Sequence, residues 1–250
     1  MTNPDEVDRP PAGRPAKHWG LGDVLLAALA GLVLASVAGG IWVSATGEAS
    51  AAIGTGLASL VGEWVGVVAV LVGASYAKGE GSLSRDYGLA VNLRADLLPG
   101  AVAGVGSQIV LSALVTPLIQ HFQHHLKLSE HALDVGKQAA SSATVTKVAV
   151  VLVFVVGAPI VEEFFFRGAL QRALIRRLGP VAGISVTALV FALLHLSGHV
   201  SVGSALTLVG ELAAFGVVLS LLALRTGRLG AGIVAHAAFN ALATYSLLHH

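Results

Sequence analysis

Long apolar runs separated by short polar turns dominate the chain. Seven stretches of mostly apolar residues stand out, at roughly 23–44, 51–77, 97–120, 147–169, 180–198, 203–224 and 229–248. A helix needs about 20 such residues to cross the hydrocarbon of a bilayer. The pattern therefore predicts an all-α protein, a polytopic membrane helix bundle of about seven transmembrane helices. The runs 51–77 and 97–120 are rich in Gly, Ser and Thr, small residues that let membrane helices approach closely. Before the first run the pattern fails. Residues 1–22 hold Pro4, Pro10, Pro11 and Pro15 among charges, with no apolar period, and read as a disordered cytoplasmic tail. A cleaved signal peptide fits less well, because Asp5, Glu6 and Asp8 precede an apolar run long enough to span. The expected organisation is a tail, 1–22, and a single transmembrane domain, 23–250.

Composition sharpens this picture. Of 250 residues 55% are hydrophobic and 12% charged, whereas a soluble domain carries about 25% charged residues. The chain has no cysteine, which removes disulfides, thiolate nucleophiles and cysteine-held metals from consideration. A net charge of +1 gives no reason to expect nucleic acid.

The basic residues are unevenly spread. With the tail in the cytoplasm, that side holds Arg9, Arg14, Lys17, Lys78, Arg85, Arg94, Arg167, Arg172, Arg176, Arg177, Arg225 and Arg228, and the outer side only Lys127, Lys137 and Lys147. Excess Lys and Arg mark cytoplasmic loops. The expectation is a protein of the cell membrane, N-terminus in and C-terminus out. The loop 121–146 is polar and carries His121, His124, His125 and His131. The His121–His125 spacing suits a metal on a helix, yet no carboxylate lies between them, and the loop reads as a polar interfacial helix.

Ionisable groups inside the apolar runs change the picture most, because each costs at least about 2.5–3.5 kcal/mol in hydrocarbon. Three strings concentrate them: Glu162-Glu163-Phe164-Phe165-Phe166-Arg167, Phe191-Ala192-Leu193-Leu194-His195 and His236-Ala237-Ala238-Phe239-Asn240. On a helix Glu163 and Arg167 are i,i+4 and can pair. Glu162 lies about 100° round the helix, free to face a cavity and handle protons. Pro159, one turn earlier, removes a backbone hydrogen bond and favours a kink. His236 and Asn240, also i,i+4, present an imidazole and an amide on one face, two donors for a developing oxyanion.

Peptide hydrolysis needs a base for water, a partner for its proton and oxyanion donors. Glu162, His195, His236 and Asn240 are of the right types. A zinc ion held by Glu162, His195 and His236 is the other chemistry these residues allow. No HExxH helix is present, and His199, after Gly198, is set aside.

The run Ala158–Gly168 resembles the EExxxR motif of the CPBP (CAAX protease and bacteriocin-processing, or ABI) intramembrane proteases. Phe191…His195 resembles the FxxxH motif of that family and His236…Asn240 its HxxxN. The resemblance covers about residues 147–245. It implies an all-helical intramembrane endopeptidase acting on membrane-associated or prenylated-type protein substrates. It implies further that Glu162 and His195 activate water, that His236 and Asn240 form the oxyanion site, and that Glu163 and Arg167 support them. Both a zinc and a metal-free glutamate mechanism are argued for the family; the reading here favours no cofactor, with zinc as the alternative. The expected partners are a protein or peptide substrate at the membrane and the lipid bilayer. Two other functions compete: an ion- or proton-coupled transporter using Glu63, Glu162, Glu163 and Glu211 as a relay, and an inactive scaffold or immunity protein. A transporter would more often show polar, broken helices in both halves.

Overall fold

The computed structural model describes residues 18–47, 52–123, 144–196 and 202–249. Residues 1–17 of the expected tail, together with His124, His125, His131, His199 and His250, lie outside the described residues. All the described elements are helices: α1 Leu21–Thr46, α2 Ala52–Lys78, the short α3 Leu83–Tyr87, α4 Leu93–Gln123, α5 Thr144–Leu194, α6 Val202–Thr226 and α7 Gly230–His249.

Among the described residues five helices, α1, α2, α4, α5 and α6, are long and apolar enough to cross a membrane. α5 accounts for two expected spans. It runs for 51 residues, but Gly179 adopts φ 81° and ψ 170° just before Pro180. That left-handed conformation strains any residue with a Cβ, and the break divides α5 into limbs 144–178 and 180–194. The last expected span coincides with α7, a helix of 20 residues that includes the polar His236 and Asn240 and is not among those five. The protein is thus a polytopic helical bundle. Apolar side chains such as Leu25, Leu29 and Val102 point outward and are more than half exposed, as expected of a lipid-facing surface.

Small residues set the helix spacing. A Cβ added at Gly66 of α2 would stand 2.5 Å from the Ala30 carbonyl oxygen of α1, and one at Gly31 would stand 2.9 Å from Val67. α4 meets α7 in the same way, with Gly100 against Ala231 and Val234. Close backbone approach replaces the hydrophobic drive that water would otherwise supply.

One end of the bundle collects the charges. Lys78 pairs with Asp23 at 2.6 Å and Arg228 with Asp96 at 2.7 Å, tying α1 to α2 and α4 to the α6–α7 turn. Asp86 accepts hydrogen bonds from the Ser75 hydroxyl at 2.5 Å and from the Glu80 and Ser82 amides. Burial alone would raise its pKa, but these bonds hold the carboxyl below the usual carboxylate value.

Two expectations are corrected here. The folded region begins before residue 23: Trp19 is buried, and its ring lies 4.5 Å from that of Tyr87 and 4.2 Å from the Arg176 guanidinium. An aromatic that finds a packed site is held whatever the composition of its neighbours. Arg167 does not belong with the loop charges, because it is 1% exposed and enclosed within the bundle.

Candidate active site

Two π-helical turns shape the limb that carries the glutamates. Leu152–Gly157 precedes Ala158–Glu163, and Phe164–Leu170 follows it. The first lies directly ahead of Pro159, which has no N–H to continue an α-helical ladder. Such wide turns shift the side chains after them by about one position and are frequent at functional sites.

Glu163 and Arg167 form the centre. The Arg167 guanidinium donates from Nη1 to Glu163 Oε1 at 2.9 Å, with neither side chain exposed, and from Nη2 to the Gly216 carbonyl of α6 at 3.2 Å. It also lies 4.5 Å over the Phe191 ring. Removing either partner from such a buried pair leaves an uncompensated charge, which costs about 3–5 kcal/mol. The i,i+4 pairing read from the sequence is therefore present.

His236 reaches this pair from α7. Its Nδ1 lies 3.1 Å from Glu163 Oε1, and with that carboxylate paired to arginine, Nδ1–H is the donor. Neutral His236 then presents a lone pair at Nε2. His195 has the same polarity for a different reason. It ends α5, at φ −87° and ψ −4°, and its Nδ1 lies 2.7 Å from the Phe191 carbonyl oxygen. A carbonyl only accepts, so Nδ1–H donates and Nε2 is left free. Helix-end carbonyls need such partners.

Glu162 stands between the two imidazoles. Its Oε2 is 3.6 Å from His195 Nε2 and 3.8 Å from His236 Nε2. That oxygen is buried and has no hydrogen-bond partner. Three proton acceptors therefore converge where a donor is wanted. Beside them a cavity of about 290 Å³ lies among α1, α2 and α5. Its walls include Leu32, Leu60, Trp64, Phe154 and Phe165, and its ionisable residues are Glu63, Glu162 and His195. Gly157 admits the Trp64 ring, which lies 2.5 Å from where a Cβ would be.

The remaining candidate, Asn240, donates from Nδ2 to the Phe154 carbonyl at 2.8 Å. That bond ties α7 to a π-helical turn of α5 and leaves the second N–H of the amide. The structure thus brings together Glu162, Glu163, Arg167, His195 and His236, with Asn240 one turn along. Sequence reasoning named two further contributors but left them out of the expected site. Phe191 is a platform whose ring meets the rings of His195 at 4.5 Å and His236 at 5.7 Å; its signal was the i,i+4 spacing to His195. Glu63 shares the cavity of Glu162; its signal was the cost of a carboxylate inside an apolar span. Glu211 lies on α6 and is not among the residues lining that cavity.

The donors are suited in kind to zinc: one carboxylate oxygen and two Nε2 lone pairs, each ring oriented through Nδ1. Among the described residues, however, no group of three His, Asp or Glu side chains is gathered so as to hold a metal ion.

Fold and site together define an integral membrane protein with a buried carboxylate–imidazole cluster opening on an apolar cavity. The family model described as type II CAAX prenyl endopeptidase Rce1-like matches residues 144–242. That stretch of the chain is similar to this family, which is consistent with the CPBP intramembrane proteases, a class of hydrolases. No curated protein matches the chain, and no solved structure matches it.

Proposed function

We propose that the protein is an intramembrane endopeptidase in which Glu162 and His195 activate the attacking water. The observation that carries this reading is the buried, unpartnered Glu162 Oε2 between two imidazole Nε2 atoms. A water there would donate one proton to Glu162 and be aligned by His195. The resulting hydroxide equivalent attacks the scissile carbonyl, and the proton passes to the leaving amine.

His236, whose Nδ1–H is committed to Glu163, becomes an oxyanion donor only once its free Nε2 has taken up a proton. The Glu163 carboxylate stabilises that imidazolium, and Arg167 holds Glu163 in place. Asn240 contributes its second N–H. The substrate is a peptide segment of a membrane-associated or prenylated-type protein whose apolar side chain enters the cavity against Trp64 and Phe154.

The experiment is peptide-bond cleavage by purified protein. Glu162→Gln should lower turnover by about 10²–10⁴, the usual contribution of a general base, with an unchanged melting temperature. Equal activity of the variant and wild type would sink the assignment.

The two free Nε2 lone pairs favour one second reading, zinc held by Glu162, His195 and His236. Zinc would supply a bound water of lowered pKa. Elemental analysis of active, chelator-washed protein decides. Metal at background supports the metal-free reading, whereas one zinc per chain, lost and restored together with activity, establishes the other.

A further inference from the structure

At the charged end of the bundle a second cavity, of about 310 Å³, lies between α5 and the end of α6. Arg167, Gln171, Arg172 and Arg176 line it from α5, and Ala223 and Leu224 from α6. Arg172 donates to the Gly227 carbonyl at 2.8 Å and Arg176 to the Trp19 carbonyl at 3.2 Å. These bonds are structural, but each uses one of five N–H donors, and a carbonyl does not cancel a cation. Among the described residues neither arginine is in an ion pair, unlike Arg167 and Arg228.

The inner wall is unusual in another way. Arg167 Nε and Gln171 Oε1 are buried without a hydrogen-bond partner, on residues 1% and 2% exposed. Buried polar groups are ordinarily paired. Two guanidiniums without a carboxylate partner, one of them stacked on Trp19, and an orphan N–H call for an anion. The free amide oxygen calls for a hydroxyl. The apolar wall, with Leu224 47% exposed, calls for hydrocarbon beside both. Basic pockets between transmembrane helices near the membrane surface bind lipid headgroups in this way.

We propose that this pocket binds the phosphate of an anionic phospholipid headgroup, with the glycerol hydroxyls of a phosphatidylglycerol type facing Gln171 and an acyl chain along Leu224. Phosphate is the shared chemistry of lipid and free anion, and the experiment separates them.

The test is the melting temperature of the full chain in nanodiscs. Dioleoylphosphatidylglycerol should raise it above the value in dioleoylphosphatidylcholine, because a ligand that binds only the folded state stabilises it. Arg172→Gln with Arg176→Gln should weaken phosphatidylglycerol binding at least about tenfold. That variant also loses two structural bonds, so a second one is needed. Leu224→Glu places a carboxylate beside both guanidiniums and leaves their carbonyl bonds intact. It should abolish the response to phosphatidylglycerol while melting normally in phosphatidylcholine.

Equal melting in the two lipids would overturn the proposal, as would a full response in Leu224→Glu. Stabilisation by millimolar inorganic phosphate in phosphatidylcholine, equal to that by phosphatidylglycerol, would overturn the lipid as ligand and assign the pocket to a free anion.

Discussion

The α1–α2 hairpin and the α5–α7 core solve the same problem, helix association in lipid, by opposite means. The hairpin uses absence: Gly31, Gly62 and Gly66 let backbones touch, and Lys78–Asp23 closes one end. The core uses buried charge: Arg167, Glu163 and His236 link α5 to α7, and Gly216 brings in α6. Close packing can be had with little chemistry. A buried ionic network is costly to assemble, yet it can hold a histidine in one tautomer and a carboxylate in one place. The hairpin lends that core a cavity wall, with Glu63 and Trp64.

The comparison can be broken most severely at the ionic centre. Glu163→Ala should destabilise the protein by about 3–5 kcal/mol, since Arg167 is left buried and unpaired. Denaturant melting in detergent measures it, and a loss under 1 kcal/mol would mean that Arg167 finds water. The next effect is on rate alone. Asn240→Ala should lower kcat by about 10²–10³, the loss for one oxyanion donor, because it removes the second N–H of the amide. A purely structural role, through the bond to Phe154, would instead lower stability and leave kcat per folded molecule unchanged.

In the hairpin the expected effect is smaller. Gly66→Ala forces α1 and α2 apart and should cost about 1–3 kcal/mol, as overpacking does, with activity falling only as the cavity wall moves. Comparison of Gly66→Ala with Gly56→Ala, where an added Cβ meets nothing within 4 Å, isolates the contact.

The smallest effect is electrostatic and lies at the charged end. Because folding holds the Asp86 carboxyl below its usual value, the unfolded chain takes up this proton first as pH falls. The contribution of the anion is complete above about pH 4, the unfolded value, and fades as pH drops toward the folded one. Asp86→Asn should flatten the fall of the melting temperature below about pH 4 relative to wild type.

The sequence by itself determined that the chain is a polytopic bundle of apolar helices, because span length and apolarity are local properties. It also determined the Glu163–Arg167 pair, because four residues along a helix is a local distance, kept here even through a π-helical turn. It placed Glu162 off that pair, and the residues lining the cavity agree. Tertiary structure alone decided what crosses between helices. The His236 imidazole was read as a free donor, but its Nδ1 is taken by Glu163, 73 residues away. Arg167 was counted with the loop charges, but packing of α6 and Phe191 encloses it. Asn240 was read as an oxyanion donor beside His236, and one N–H of its amide is bound to Phe154 across the bundle. Glu63 enters the cavity because glycines seat α2 against α1 and α5. Tautomer, burial and cavity depend on which atoms come within a few ångströms from distant parts of the chain, and no periodicity along a single helix encodes that.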